Sequence, residues 1–188
     1  MSTARLLVSA AADLLDEGGD AAMTLRAVAS RVGVSHNAPY KHFESRRSLL
    51  CAVARQDVAA IWTRWRQLLD VEKDPIDRIL DALDVVIAFS QEHPARYRLL
   101  FGMPDALAAD DTLTEAIEGA LGTFAQIVRS ARTAGRLPDT SSHDLAILLF
   151  ASTHGLIDAQ AGGRLESSSG WDGVETGVQI LLRTMTRD

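Results

Sequence analysis

Residues 25–50, "LRAVASRVGVSHNAPYKHFESRRSLL", decide the fold of this chain. From Leu25 to Val32, apolar residues recur three and four positions apart, which predicts a helix with one buried face. Thr24 is a favourable N-cap for this helix, and Gly33 supplies the turn that ends it. We expect a second short helix to follow, with Ser35 as its N-cap. The segment therefore contains two short helices joined by a tight turn.

The second of these helices, residues 36–42, has the composition of a DNA-contacting element. An eight-residue helix, a Gly-Val turn and a seven-residue helix have the dimensions of a helix-turn-helix. Short polar and cationic side chains suit the base edges and phosphates of a major groove, whereas they would make a poor core. Pro39 directly follows the first turn, so it removes at most one helical hydrogen bond, and we expect it to distort the start of the helix.

Charge is distributed unevenly along the chain, which has a net charge of −6. Between residues 24 and 47, five cations face one carboxylate, Glu44. A basic island on an acidic protein fits one face that binds a polyanion, although short windows also vary this much by chance. The five cations are Arg26, Arg31, Lys41, Arg46 and Arg47.

The rest of the chain also has three- and four-residue apolar spacing and no sustained alternation, which predicts helices throughout. We expect an all-α fold of about nine helices. The first three form an N-terminal helix-turn-helix domain over residues 1–46, and six form a C-terminal helical bundle over residues 47–188. The expected helices span residues 3–17, 25–32, 36–42, 45–69, 75–93, 95–102, 112–134, 143–161 and 174–186.

Several functional classes are not expected from this sequence. It contains no run of 18 apolar residues, so we expect no membrane segment. Cys51 is the only cysteine, and a reducing cytoplasm is the simplest compartment for such a chain. The five histidines are scattered, and no metal-ligand spacing, phosphate loop or clustered nucleophile–base pair occurs. We therefore expect no metal, no cofactor and no enzymatic activity.

The segment "MTLRAVASRVGVSHNAPYKHFESRRSLL" resembles the tetracycline-repressor-like (TetR) transcriptional regulators. The family pattern combines Thr-Leu-Arg-x-Val-Ala, a Gly-Val-Ser turn and Tyr-x-His-Phe, and it more often has Lys where this chain has Arg46. Downstream, "HPARYRLLFG" and "THGLIDAQAGGRL" resemble a subgroup with a Trp-x-x-x-His-Gly signature, although Phe150 replaces the tryptophan. The residues that match the first pattern are Thr24, Leu25, Val28, Ala29, Gly33, Val34, Ser35, Tyr40, His42 and Phe43.

The resemblance implies a homodimer that binds a palindromic DNA operator and is released from it by an unknown small-molecule effector. The helix that follows the helix-turn-helix would be the lever between the two domains. Two alternatives stay open: a helix-turn-helix regulator without an effector, and an all-α enzyme. Activation rather than repression also fits, because promoter geometry decides between them.

The family match and the chemistry of the side chains together suggest three sets of site residues. Tyr40 and His42 could equally be packing residues, and Phe43 is expected in the core. The expected DNA contacts are Thr24, Arg26, Ser35, His36, Asn37, Tyr40, Lys41, His42 and Arg46. The candidate effector pocket contains Phe89, His93, Tyr97, Phe101, Phe124, His154 and Asp158. The expected dimer interface contains Leu148, Ala151, Ser152, Gly155, Ala159, Val174, Val178, Leu181 and Met185.

Overall fold

The computed structural model describes residues 2–102, 110–165 and 170–186, and every regular element in these ranges is helical. The expected all-α class is confirmed. Eight α-helices are present in the described ranges, and a 3-10 turn, Pro39–Lys41, lies where another α-helix was expected. No described helix has both the length and the hydropathy needed to cross a membrane. The helices are α1 (Thr3–Ala22), α2 (Leu25–Val32), α3 (Arg46–Leu69), α4 (Pro75–Glu92), α5 (Pro94–Gly102), α6 (Asp111–Thr133), α7 (Ser142–Ala161) and α8 (Val174–Met185).

The chain packs into two compact units. The first unit contains Met1–Ala60 and Ser90–Ile117, and the second contains Ile61–Phe89 and Glu118–Asp188. Helix α3 begins in the first unit and ends in the second. The division at residue 46 was based on DNA binding rather than on packing, and it stays a prediction.

Helices α1 and α2 form as their capping and apolar patterns predict. The Ser2 side chain accepts a hydrogen bond from the Arg5 amide at 3.4 Å, and Leu7 on the buried face is fully enclosed. Helix α1 runs past residue 17, where it was expected to end before Gly18-Gly19: Gly19 (φ 67°, ψ −160°) interrupts the helical geometry, and a last turn reaches Ala22. Gly33 ends α2 in the left-handed conformation (φ 74°), which glycine adopts without steric cost.

Residues 36–42 do not form the seven-residue α-helix that was expected. The amide of Ala38 donates to the Ser35 carbonyl at 2.8 Å, and the amide of His42 donates to the Pro39 carbonyl at 3.0 Å. Both bonds span three residues, as in a 3-10 helix. Pro39 has no N–H with which to donate to the Ser35 carbonyl. Ser35 therefore supports the turn with its backbone carbonyl rather than as a side-chain N-cap.

Aromatic residues form the core of the second unit. Trp65 is almost fully buried, and its ring centroid lies 5.2 Å from that of Phe124 and 6.1 Å from that of Phe150. Its indole N–H donates to the Ala82 carbonyl at 2.8 Å, so this buried polar group is satisfied. The aromatic contacts join α3, α6 and α7 into one core.

A glycine on α6 admits a second indole. A Cβ at Gly119 would fall 2.7 Å from the Trp62 ring, so only glycine leaves space for it. The Trp62 indole N–H donates to the Thr123 hydroxyl at 2.8 Å, one turn further along α6. Arg66 stacks over the Trp62 ring at 4.8 Å from its centroid. This arrangement fixes the second half of α3 against α6.

Candidate nucleic-acid interface

The N-terminus of α2 is the first part of the candidate interface. The Thr24 hydroxyl accepts a hydrogen bond from the Ala27 amide at 3.1 Å, which confirms the expected N-cap. The first amides of a helix have no intrahelical acceptor and, together with the helix dipole, can bind a phosphate. Arg26, in the first turn, is exposed. The side chains and amides around Thr24 therefore suit an anionic backbone.

Residues 35–42, which we call the recognition segment, form the second part. Six of the expected DNA contacts lie in it, and all six are exposed. Tyr40 keeps 59% of its surface exposed although its ring is large and apolar, whereas the preceding residue, Pro39, is buried. In the described parts of the chain, no hydrogen bond or ion pair involves the side chains of His36, Asn37, Tyr40, Lys41 or His42. The segment therefore presents donors, acceptors and a cation to solvent.

Arg46 has a different environment from the other expected contacts. Its Nε–H donates to the Met23 carbonyl at 2.7 Å, and its Nη2 donates to the carbonyl and the carboxylate of Asp20 at 2.6 and 2.7 Å. Helix α3 begins there, and Ser45 and Ser48 cap it by exchanging amide-to-hydroxyl hydrogen bonds of 3.1 Å. The guanidinium that was expected at a phosphate is thus hydrogen-bonded within the chain, although 38% of the Arg46 side chain stays exposed.

A second cation of the basic island is also engaged. Arg31 donates to both carboxylate oxygens of Glu17, at 2.8 and 2.6 Å, and these hydrogen bonds lower the pKa of Glu17. Glu17 and Asp20 precede the sequence window in which the cations were counted, so the count overstated the free positive charge. Arg26 and Lys41 have no ion-pair partner in the described ranges.

Three residues of the candidate effector pocket belong to the first unit. Tyr97 is buried and its ring centroid lies 4.9 Å from that of Phe101. His93 Nδ1 lies 2.9 Å from an Asp16 carboxylate oxygen. This histidine belongs to an ionic cluster that sequence reasoning missed.

Arg96 on α5 joins that ionic cluster together. It donates to Asp57 through Nε at 3.0 Å and also through Nη2, and its Nη1 donates to Asp16 at 3.0 Å. Asp57 is 2% exposed; burial raises the pKa of its carboxyl, and the hydrogen bonds and charge of Arg96 oppose the rise. We call Asp16, Asp57, His93 and Arg96 the Arg96 cluster. It ties α1, α3 and α5 together within the first unit.

The other four pocket residues, Phe89, Phe124, His154 and Asp158, belong to the second unit. Phe124 is fully buried, whereas Asp158 is exposed. The His154 ring packs edge-on to Phe150, with centroids 4.2 Å apart. Burial lowers the pKa of His154 to about 4, against an opposing effect of Asp158. His154 is therefore a neutral imidazole at physiological pH.

The expected dimer residues lie on α7 and α8, which pack together in the second unit. Leu148 is 57% exposed, and Ile147 and Ile180, which were not predicted, are also large exposed apolar residues. Val174 and Val178 are buried within the chain itself, so they support α8 from inside. The exposure of the remaining expected residues is as follows: Ala151 and Gly155 are exposed, and Ser152, Ala159, Leu181 and Met185 are partly exposed.

An open groove of about 450 Å³ lies between α7 and α8, lined by Leu156, Ile180 and Leu181 among others. Trp171 also lines the groove, and a Cβ at Gly177 would lie 2.5 Å from its ring. The indole N–H donates to the Gln160 side chain at 3.2 Å. Trp171, three residues before the start of α8, therefore shapes this apolar surface.

Two family models match the chain. The model described as "Bacterial regulatory proteins, tetR family" matches residues 7–53, which include α2 and the recognition segment. The model described as "Tetracyclin repressor-like, C-terminal domain" matches residues 79–185, more than half of the chain. The chain belongs to the TetR family. The TetR resemblance that residues 23–50 indicated is thereby confirmed, whereas the subgroup with the Trp-x-x-x-His-Gly signature stays a prediction.

Curated relatives of this TetR-family chain include nucleoid occlusion factors SlmA. The chain is 33% identical over 97 residues to that of Vibrio campbellii, covering 51% of this chain and 50% of the relative. It is 28% identical over 130 residues to that of Marinomonas sp., covering 66% and 65%. The chain thus spans about half the length of the first of these relatives.

Solved structures share the fold across the whole chain. A protein of unknown function from Rhodococcus sp. RHA1 has a TM-score of 0.83 and 26% identity, covering 100% of this chain and 97% of that one. The reduced form of NemR from E. coli has a TM-score of 0.75 and 19% identity, covering 99% and 98%. These similarities show that the fold is shared over both units.

In the described ranges, no group of three or more His, Cys, Asp or Glu residues could hold a metal ion.

Proposed function

We propose that this TetR-family protein is a cytoplasmic DNA-binding transcriptional regulator, most simply a repressor that a small molecule releases from a palindromic operator. The observation that carries the proposal is the recognition segment, whose polar side chains are exposed and have no partner in the described ranges. Groups that are neither buried nor paired can exchange water for DNA at little cost to the fold. The family membership supports the same function.

Each exposed side chain of the segment has a chemical role that suits it. Asn37 can pair with the adjacent donor and acceptor of an adenine edge. Tyr40 and Lys41 suit phosphate oxygens, which fix the register of the protein on the duplex. Thr24 and the first amides of α2 suit a neighbouring phosphate. Ser35, His36 and His42 add hydrogen-bonding groups on the same segment.

A second copy of the chain would cover the apolar surface of α7 and α8. Leu148, Ile147 and Ile180 are large, exposed and apolar, and small residues such as Gly155 allow a close approach of helices. A two-fold dimer matches a palindrome, because each protomer then meets one half-site. We expect Leu148→Glu to give monomers by analytical ultracentrifugation and to weaken operator binding. A Leu148→Glu dimer of wild-type affinity would contradict this interface.

The effector would bind beside Phe124, Phe150 and His154 in the second unit, by separating rings that pack against one another in the free protein. Aromatic walls with one neutral imidazole suit an apolar ligand that carries a single hydrogen-bonding group. Binding would lower operator affinity only if the ligand prefers a conformer with the wrong half-site spacing. Isothermal titration of candidate ligands, with and without operator DNA, tests this linkage. Equal ligand affinity in both titrations would favour a regulator without an effector.

The decisive experiment is fluorescence anisotropy with DNA from upstream of the gene, for the wild type and two variants. We expect Asn37→Ala to lose about 1–3 kcal/mol of binding free energy at the sites that contain its base. Lys41→Gln should weaken all sites alike and reduce the salt slope by about 1 per protomer. Neither variant should change Tm. Weak, sequence-independent binding by the wild type would contradict an operator at this locus.

The SlmA relatives support a second candidate, which is chromosome binding for a purpose other than promoter control. The similarity covers about half of each chain, and those relatives are named for nucleoid occlusion. Chromatin immunoprecipitation distinguishes the two candidates. Enrichment at one or a few promoters favours the regulator, whereas enrichment at dispersed sites away from promoters favours the second candidate.

A further inference from the structure

Arg46, the first residue of α3, donates three hydrogen bonds to one short stretch of chain. The acceptors are the Met23 carbonyl, the Asp20 carbonyl and the Asp20 carboxylate, all between 2.6 and 2.7 Å. That stretch contains the end of α1 and the connection to Thr24, the N-cap of α2. One side chain therefore links the starts of two helices and the end of a third.

The acceptors at the end of α1 need a donor from elsewhere. The last carbonyls of a helix have no intrahelical partner, and α1 has no basic residue in its last turn. The helical geometry is already interrupted at Gly19, and Met23 is fully buried. Arginine fits such a site because its planar fork can serve several acceptors at once. The carbonyls, the carboxylate and the guanidinium thus form one satisfied group.

We propose that Arg46 is a positioning residue for DNA binding, which fixes the junction of α1 and α2 to the start of α3 rather than binding a phosphate. This inference rests on the proposed DNA-binding function. Thr24 directly follows Met23, so the contact of Arg46 sets where the N-terminus of α2 lies relative to α3. The three acceptors use the Nε–H and both hydrogens of Nη2, which leaves Nη1 alone for another ligand.

A phosphate ligand and a positioning residue respond differently to substitution. Lysine keeps the positive charge but lacks the fork, so Arg46→Lys would preserve a phosphate contact and break the three-acceptor geometry. Glutamine removes the charge. If Arg46 bound phosphate, Arg46→Gln would reduce the slope of log K against log salt by about 0.9 per protomer. A positioning residue leaves that slope unchanged, because no counterion release is lost.

The test compares Arg46→Lys, Arg46→Gln and Lys41→Gln in the full-length protein. Tm is measured without DNA. Operator affinity is measured by anisotropy between 50 and 200 mM salt. Over this range, a protein that contacts many phosphates loses affinity by a factor of about 10³–10⁵. We expect both Arg46 variants to lower Tm by about 2–4 °C, chiefly through the two backbone carbonyls that lose their donor, because the ion pair with Asp20 is exposed and contributes little. Operator affinity should fall by about tenfold, with the wild-type salt slope. Lys41→Gln should keep Tm and lower the slope.

Two results would overturn the proposal: a wild-type Tm for Arg46→Gln, or a salt slope reduced by about 1 per protomer for that variant. If Arg46→Gln does not fold while Lys41→Gln does, the structural role is supported. The effect on operator affinity is then measured with Arg46→Lys. If the wild type binds no operator, the proposed function fails, but the Tm difference still tests the role of Arg46 in the free protein. The two failures are therefore distinguishable.

Discussion

The recognition segment and the Arg96 cluster are both polar and both belong to the first unit, yet their side chains have opposite environments. In the recognition segment, residues such as Asn37 and Lys41 are exposed, and their side chains have no partner in the described ranges. In the Arg96 cluster, the guanidinium is 11% exposed and Asp57 is 2% exposed, and they bind each other. The comparison separates polar groups that are available to a ligand from those that hold the fold.

The physical reason for the difference is the cost of removing charge from water. An exposed amide or ammonium keeps its hydration, so it stabilises little and can exchange water for DNA. A buried charge is costly unless an opposite charge and hydrogen bonds compensate it. Substitutions in the Arg96 cluster should therefore change stability, whereas substitutions in the recognition segment should change binding.

The largest expected effect is that of Arg96→Met. It leaves the buried Asp57 carboxylate without its partner, and we expect a loss of about 3–5 kcal/mol in the free energy of unfolding. Arg96→Met combined with Asp57→Leu should recover at least half of this loss, because no charge then remains buried. Urea denaturation followed by circular dichroism measures both variants.

The exposed pair of Arg31 and Glu17 provides the control for that substitution. Their side chains are 40% and 57% exposed, and surface ion pairs contribute little. Arg31→Met should therefore unfold at nearly the wild-type urea concentration. If Arg96→Met lowers the free energy of unfolding by no more than Arg31→Met does, burial does not distinguish the two kinds of polar site.

His154 extends the comparison to the second unit, where burial keeps a titratable group neutral. Its pKa is about 4 in the folded protein and about 6.5 in an unfolded chain. Between these values, the unfolded chain binds a proton that the folded protein does not. The free energy of unfolding should thus fall as pH decreases from 6.5 to 4, by up to about 3 kcal/mol. Above pH 6.5, His154 is neutral in both the folded and the unfolded state, so this loss of stability is absent.

His154→Phe should remove that part of the acid-induced loss of stability. The measurement is urea denaturation at pH 4.5 and pH 7 for the wild type and the variant. His143→Gln is the matched control, because His143 is exposed on the same helix, and it should retain the wild-type difference between the two pH values. An equal difference in His154→Phe and the wild type would show that other groups cause the acid effect.

The same contrast explains what could be predicted from the sequence. Apolar spacing and caps are local, so α2, its Thr24 cap and the exposed recognition segment could be predicted. The partners of Arg46 and Arg96 could not, because Asp20 and Asp57 lie 26 and 39 residues away and no local pattern links them. The 3-10 geometry was missed because Pro39 was counted as the loss of one hydrogen bond. The residues around Pro39 instead form hydrogen bonds between residues three apart, as in a 3-10 helix.

The smallest expected effect comes from Pro39, which lies inside the recognition segment but is itself buried. Pro39→Ala restores an N–H that can donate to the Ser35 carbonyl, four residues earlier, and so favours α-helical geometry. A change from three to 3.6 residues per turn rotates successive side chains by about 20°.

Asn37 and Tyr40 would then face different bases or phosphates. We therefore expect Tm to change by only about 2 °C, whereas the preference among operators with single base substitutions shifts by about fivefold. Competition anisotropy against such a panel measures this preference. If Pro39→Ala weakens every operator by the same factor, the proline shapes the segment without deciding which bases it contacts.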